Sequence, residues 1–139
     1  MKKLFVAMVL VASAAMAQTR NNATFAEQKM CADAAKAFFK EMGYPLAGFD
    51  KHYRNATYQA HYNKKLNKCF IKILVTPRSE ENVERFFYDV FEGTQPLARW
   101  SETPFTGKGF GFIYTGSGIY SDLKARAEYE FFVEPFMTE

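Results

Sequence analysis

Apolar residues recur at two different periods along this chain, and the change of period separates its elements. Between residues 24 and 45, Cys31, Ala34, Ala35, Phe38 and Met42 return every three or four positions. Thr24 and Glu27 stand before that stripe as a T-x-x-E capping box, and Gly43 then Pro45 end it. The pattern predicts an amphipathic helix over residues 25 to 42. Residues 52 to 76 change to a period of two. Ala56, Tyr58, Ala60 and Tyr62 alternate with Asn55, Thr57, Gln59 and His61; further on, Cys69, Ile71, Ile73 and Val75 alternate with Phe70, Lys72, Leu74 and Thr76. This reads as a β-hairpin closed by Asn63 to Lys68. Setting Tyr62 opposite Cys69 places Ala60 against Ile71 and Gln59 against Lys72, so that the first-named set of each arm shares one buried face. The stretch from Ser79 to Gly93 fits two templates. Val83, Phe86, Phe87, Val90 and Phe91 make a helical stripe that Ser79 can cap, yet the same Phe, Tyr and Val content before Glu92-Gly93 reads as a strand entering a turn. A strand over Phe110 to Thr115 is bounded by glycines. A final helix is expected from about Asp122, capped by Ser121, with Tyr129, Phe132, Val133 and Phe136 on one side and Pro135 kinking or ending its last turn. Together these elements predict an α+β domain in which an N-terminal and a C-terminal helix pack on one face of an antiparallel sheet of four or five strands.

The first seventeen residues follow a different logic. Met1-Lys2-Lys3 is positive, Leu4 to Ala15 is apolar, and Ala15-Met16-Ala17 has the small-x-small form that a signal peptidase accepts. We expect a cleavable export signal cut after Ala17, delivering residues 18–139 as a single domain to the periplasm or the medium. The apolar run meets Gln18, Thr19 and Arg20 too early to span a bilayer, and no cysteine follows the cut to accept a lipid. Losing Lys2 and Lys3 reduces the whole chain's net charge of +3 to +1 in the mature part, which gives no case for nucleic acid or an anionic membrane as partner. Aromatic content is high: of the 15 Phe, 8 Tyr and 1 Trp only Phe5 leaves with the signal. Rings of this kind can form a glycan-binding platform, but their periodic placement assigns most of them to the core of a small domain.

Cys31 and Cys69 are the only cysteines. They are too far apart in sequence for a C-x-x-C redox pair, and two thiols do not make a zinc site. Each lies in an inward-facing set, so we expect a buried disulfide where the first helix meets the sheet, favoured by an oxidising compartment. The candidate binding residues are His61, Lys64 and Lys65 at the hairpin end, joined by Gln59 and Lys72 on the expected solvent face. Their donors and cations suit a phosphate, a carboxylate or a sulfated sugar, although a solvated tip whose lysines discourage edge pairing has the same composition. Gly107-Lys108-Gly109-Phe110-Gly111 lacks the spacing and following helix of a phosphate loop. No nucleophile elbow, H-E-x-x-H or spaced triad points to catalysis, a cofactor or a metal.

The run His61-Tyr62-Asn63-Lys64-Lys65-Leu66-Asn67-Lys68-Cys69-Phe70 and the ending Val133-Glu134-Pro135-Phe136-Met137 resemble small secreted bacterial proteins that carry no assigned function. Asp89 to Gly93 is similar to a strand and turn in that group. The residues themselves favour a strand paired with Leu97 to Ser101, and the resemblance implies the same choice of strand over helix. It implies no catalytic residue. The expectation is a non-catalytic exported domain binding a small anion or glycan on its outer sheet face, the alternative being a protein-interaction or inhibitor domain of the cell envelope.

Overall fold

Thr24 opens the first helix as the sequence requires. Its hydroxyl accepts from the Glu27 backbone N–H at 3.2 Å, and its own N–H donates to the Glu27 carboxylate at 2.6 Å, so two orphan donors are satisfied at once. A computed structural model describes residues 23–114 and 120–138. In it this helix, α1, runs Phe25–Glu41 and buries Cys31, Ala35, Phe38 and Phe39. Gly43 takes φ +83°, the left-handed turn that closes the last carbonyls. The expected export signal and its cleavage point lie outside the described residues.

Among the described residues six strands follow: β1 (Tyr53–Asn63), β2 (Lys68–Pro77), β3 (Val83–Asp89), β4 (Ala98–Glu102), β5 (Gly109–Tyr114) and β6 (Tyr120–Leu123), with helix α2 (Arg126–Met137) last. They form one antiparallel meander in the order β1-β2-β3-β4-β5-β6. The hairpin register is the one expected, with Tyr62 opposite Cys69, Ala60 opposite Ile71 and Gln59 opposite Lys72. The ambiguous stretch is a strand, and β3 pairs with β4. The α+β class stands, with six strands in place of four or five. The additional strand, β6, occupies Ser121 and Asp122, where the final helix was expected to start. That helix starts at Arg126 instead, after an N-cap residue, Ala125, that makes no side-chain capping bond; the Glu128 carboxylate reaches back past it to accept from the Lys124 N–H at 2.7 Å. Pro135 sits inside its last turn, two residues before the helix ends.

The two helices do not share a face, contrary to expectation. Strands β2 and β3 are apolar on both sides. Ile71, Ile73, Val75 and Tyr88 pack with Ala35, Phe38 and Phe39 of α1. Phe70 and Phe87, each one residue out of phase with that set, pack with Trp100, Leu123, Tyr129 and Val133 in a second core against α2. Phe70 stacks on Phe87 with ring centroids 5.3 Å apart and meets Phe136 edge-on at 5.2 Å. The sheet is thus sandwiched, and the face expected to meet solvent at β2 is closed by α2.

Three features fix the arrangement. The Cys31–Cys69 disulfide joins α1 to β2 with a Cα–Cα distance of 5.4 Å, both cysteines being fully buried. At the hairpin turn the Asn63 side-chain amide lies 3.2–3.4 Å from the carbonyls of Pro135, Phe136 and Thr138, so it satisfies the C-terminal end of α2. The glycines of β5 make room for Trp100. A Cβ on Gly109 would come within 2.5 Å of the indole and one on Gly111 within 2.8 Å. The G-x-G spacing therefore serves packing.

Candidate functional site

A groove of about 470 Å³ opens on the α2 face, between the first turns of α2 and strands β1 to β3. The pleat aligns Thr57 and Gln59 of β1, Lys72 and Leu74 of β2, and Arg85 of β3 on this face. Arg126 and Glu130 are one helical turn apart on α2 and close the other wall.

The charges are arranged in a chain. Lys72 Nζ lies 3.4 Å from Glu130, whose other oxygen is 3.9 Å from Arg85 Nε. Arg85 donates to Glu102 at 2.7 Å, and Arg126 approaches the same carboxylate at 3.5 Å. Trp100 Nε1 donates to the other Glu102 oxygen at 2.9 Å. Burial pushes the Glu102 carboxyl upward, but the hydrogen bonds from Trp100 and Arg85 and the charges of Arg85 and Arg126 hold it below its ordinary value of 4.5. Three cations thus face two carboxylates. Arg85 and Glu102 are nearly buried and fixed, whereas the side chains of Lys72 and Arg126 are 30% and 56% exposed and can turn toward a ligand.

The five residues singled out by sequence are not assembled into one site. Gln59 and Lys72 line the groove. His61 is on the same face of β1, half-buried, with Nε2 buried and without a hydrogen-bond partner. Lys64 and Lys65 are on the turn after β1, where Lys65 is exposed; the charge of Lys64 acts on Glu27 at the start of α1 and, after the hydrogen bonds from Thr24, helps hold that carboxylate low. The hairpin-tip cluster is therefore divided between the two faces. Another lysine of the hairpin, Lys68, is committed elsewhere: it pairs with buried Asp89 at 2.9 Å and also with Glu92, and these partners raise its pKa.

Sequence reasoning missed Arg85, Arg126 and Glu130. The Arg126/Glu130 spacing was a usable signal, as was the alternation that sets Arg85 on the Phe87 side. Both pointed to the groove only once α2 was known to cross that face. Among the described residues, no group of three or more His, Cys, Asp or Glu side chains comes together to hold a metal ion, and no helix is long and apolar enough to cross a membrane. Comparison with protein-family models, with curated proteins and with solved structures returns no match.

Proposed function

We propose that this is an exported, non-catalytic binding domain that holds a small anionic ligand, such as a phosphate or carboxylate, in the groove beside α2. The observation that carries the reading is the convergence of Lys72, Arg85 and Arg126 on a concave surface that also offers the Gln59 amide and the Thr57 hydroxyl. An anion there pairs with the movable Lys72 and Arg126, while fixed Arg85 supplies background potential. A buried disulfide fits an oxidising compartment, in agreement with a signal cut after Ala17. Isothermal titration with inorganic phosphate, a sugar phosphate, a sulfated disaccharide and a dicarboxylate tests this. At least one is expected to bind saturably and to lose at least tenfold in affinity in Lys72→Ala/Arg126→Ala. Failure of all four, or affinity untouched by the double variant, removes the reading.

A second reading, an interaction domain, has its own observation. Phe131 is 84% exposed beside an apolar groove of about 690 Å³ formed with Ile113, Leu123 and Phe132, at the edge where β6, among the described residues, pairs with β5 alone. An extended partner segment would add there as a strand and insert an apolar side chain. Envelope proteins cross-linked to the wild type but not to Phe131→Asp support it, and identical cross-linking by both removes it.

A further inference from the structure

The α1 side of the sheet carries a second surface, chemically unlike the groove. Helix α1 packs over β1 and β2. Toward β4 and β5 the same face carries two cross-strand rows: Glu84 opposite Ser101 opposite Phe110, and Phe86 opposite Arg99 opposite Phe112. The Arg99 guanidinium lies over the Phe86 ring, 5.3 Å from its centroid, and donates to Glu84 at 2.7 Å. Phe110 is 61% exposed beside them. Arg99 Nε and Ser101 Oγ, at the base of this surface, are buried and have no hydrogen-bond partner. Such atoms are uncommon in a folded chain and lose free energy until a partner reaches them.

We propose that this surface is a glycan-binding platform that receives a pyranose ring. The chemistry matches a sugar better than an ion. Arg99 and Glu84 neutralise one another, so the surface offers no net charge to an anion, but together they set donors and acceptors side by side as neighbouring sugar hydroxyls require. The exposed Phe110 ring gives the apolar C–H face of a pyranose a flat partner. A sugar hydroxyl bonds the exposed part of the Arg99 guanidinium, while Arg99 Nε and Ser101 Oγ, buried beneath, gain a partner only through an intervening water or a small side-chain movement. The ring stacks on Phe110, and hydroxyls at its edge bridge Arg99 and Glu84. This site is independent of the groove and shares no residue with it.

The test is titration of the whole mature chain with chitotetraose, cellotetraose and maltotetraose, followed by backbone amide NMR. At least one is expected to bind saturably, shifting the amides of residues 84–86, 99–101 and 110–112. Phe110→Ala, at an exposed position whose truncation leaves the fold intact, weakens it about tenfold or more. Arg99→Met weakens it similarly with the amide spectrum of α1 unchanged, and Lys72→Ala/Arg126→Ala binds like the wild type. The proposal is overturned if none of the three binds, if Phe110→Ala binds as tightly as the wild type, or if the groove variant alone loses binding. Self-association abolished by Phe110→Ala, with no sugar bound, overturns it in favour of a protein interface.

Discussion

Replacing Phe70 with alanine tests whether the sheet is covered on both faces. If β2 showed only one face to the core, the set containing Phe70 would meet solvent and truncation would change stability by no more than about 0.5 kcal/mol. In the structure Phe70 is 1% exposed, stacked on Phe87 and edge-on to Phe136. Transfer of a buried Phe side chain contributes about 1.5–3 kcal/mol, and the cavity left among rigid rings brings the expected loss to about 3–5 kcal/mol. For a domain of this size that lowers Tm by roughly 10–20 °C. Leu66→Ala is the control. That side chain is 48% exposed on the same hairpin and its removal should cost under about 0.5 kcal/mol. Urea unfolding followed by tyrosine and tryptophan fluorescence gives both values. A loss below about 1 kcal/mol for Phe70→Ala, with an unchanged denaturant slope, would refute the placement of α2 over β2 and β3.

Further outcomes follow from named contacts. The Cys31–Cys69 bridge closes a loop with a sequence separation of 38, so Cys31→Ala/Cys69→Ala should lose about 4 kcal/mol in the chain-entropy account, and non-reducing mass spectrometry of protein isolated without reductant should find no free thiol. Asn63→Ala removes the donor that satisfies the end of α2. It should cost about 1–2 kcal/mol and speed hydrogen exchange in residues 133–137 more than in α1, whereas uniform acceleration would argue against a local latch. Glu102 has a folded-state pKa below its ordinary value of 4.5, so its stabilising share is present above that value and is lost as pH falls through the lower folded pKa. Glu102→Gln should accordingly be less stable than the wild type near neutrality, and the difference should shrink on acidification from pH 5 downward; a constant difference would contradict the ion-pair account.

The parts of this fold that were legible in the sequence are those fixed by local periodicity. The T-x-x-E box and the Gly43 stop bracket α1 to within a residue at its C-terminus. Strict alternation in both hairpin arms sets the register from Asn55 to Thr76, and with it the meeting of Cys31 and Cys69. Alternation gave the wrong answer where a strand is apolar on both sides. Phe70, Ile71, Ile73, Leu74 and Val75 leave Lys72 as the only charged residue between Phe70 and Val75, and a nearly continuous apolar run signals burial on two faces. Strand β6 has only four residues and is held in place by its pairing with β5. The groove was legible only in part, since Gln59 and Lys72 come from the hairpin but Arg126 and Glu130 reach them through a helix whose position depends on Phe70, Phe87 and Asn63.

The most direct test of the groove as a binding site is a ¹H–¹⁵N titration with the tightest-binding anion, observing backbone amides and arginine Nε–H groups. Saturable shifts should concentrate at Gln59, Lys72, the Arg85 Nε–H and the first turns of α2 from Arg126 to Glu130, and should disappear in Lys72→Ala/Arg126→Ala. Shifts confined to Lys64 and Lys65 at the hairpin tip, or spread evenly over the surface lysines, would contradict it.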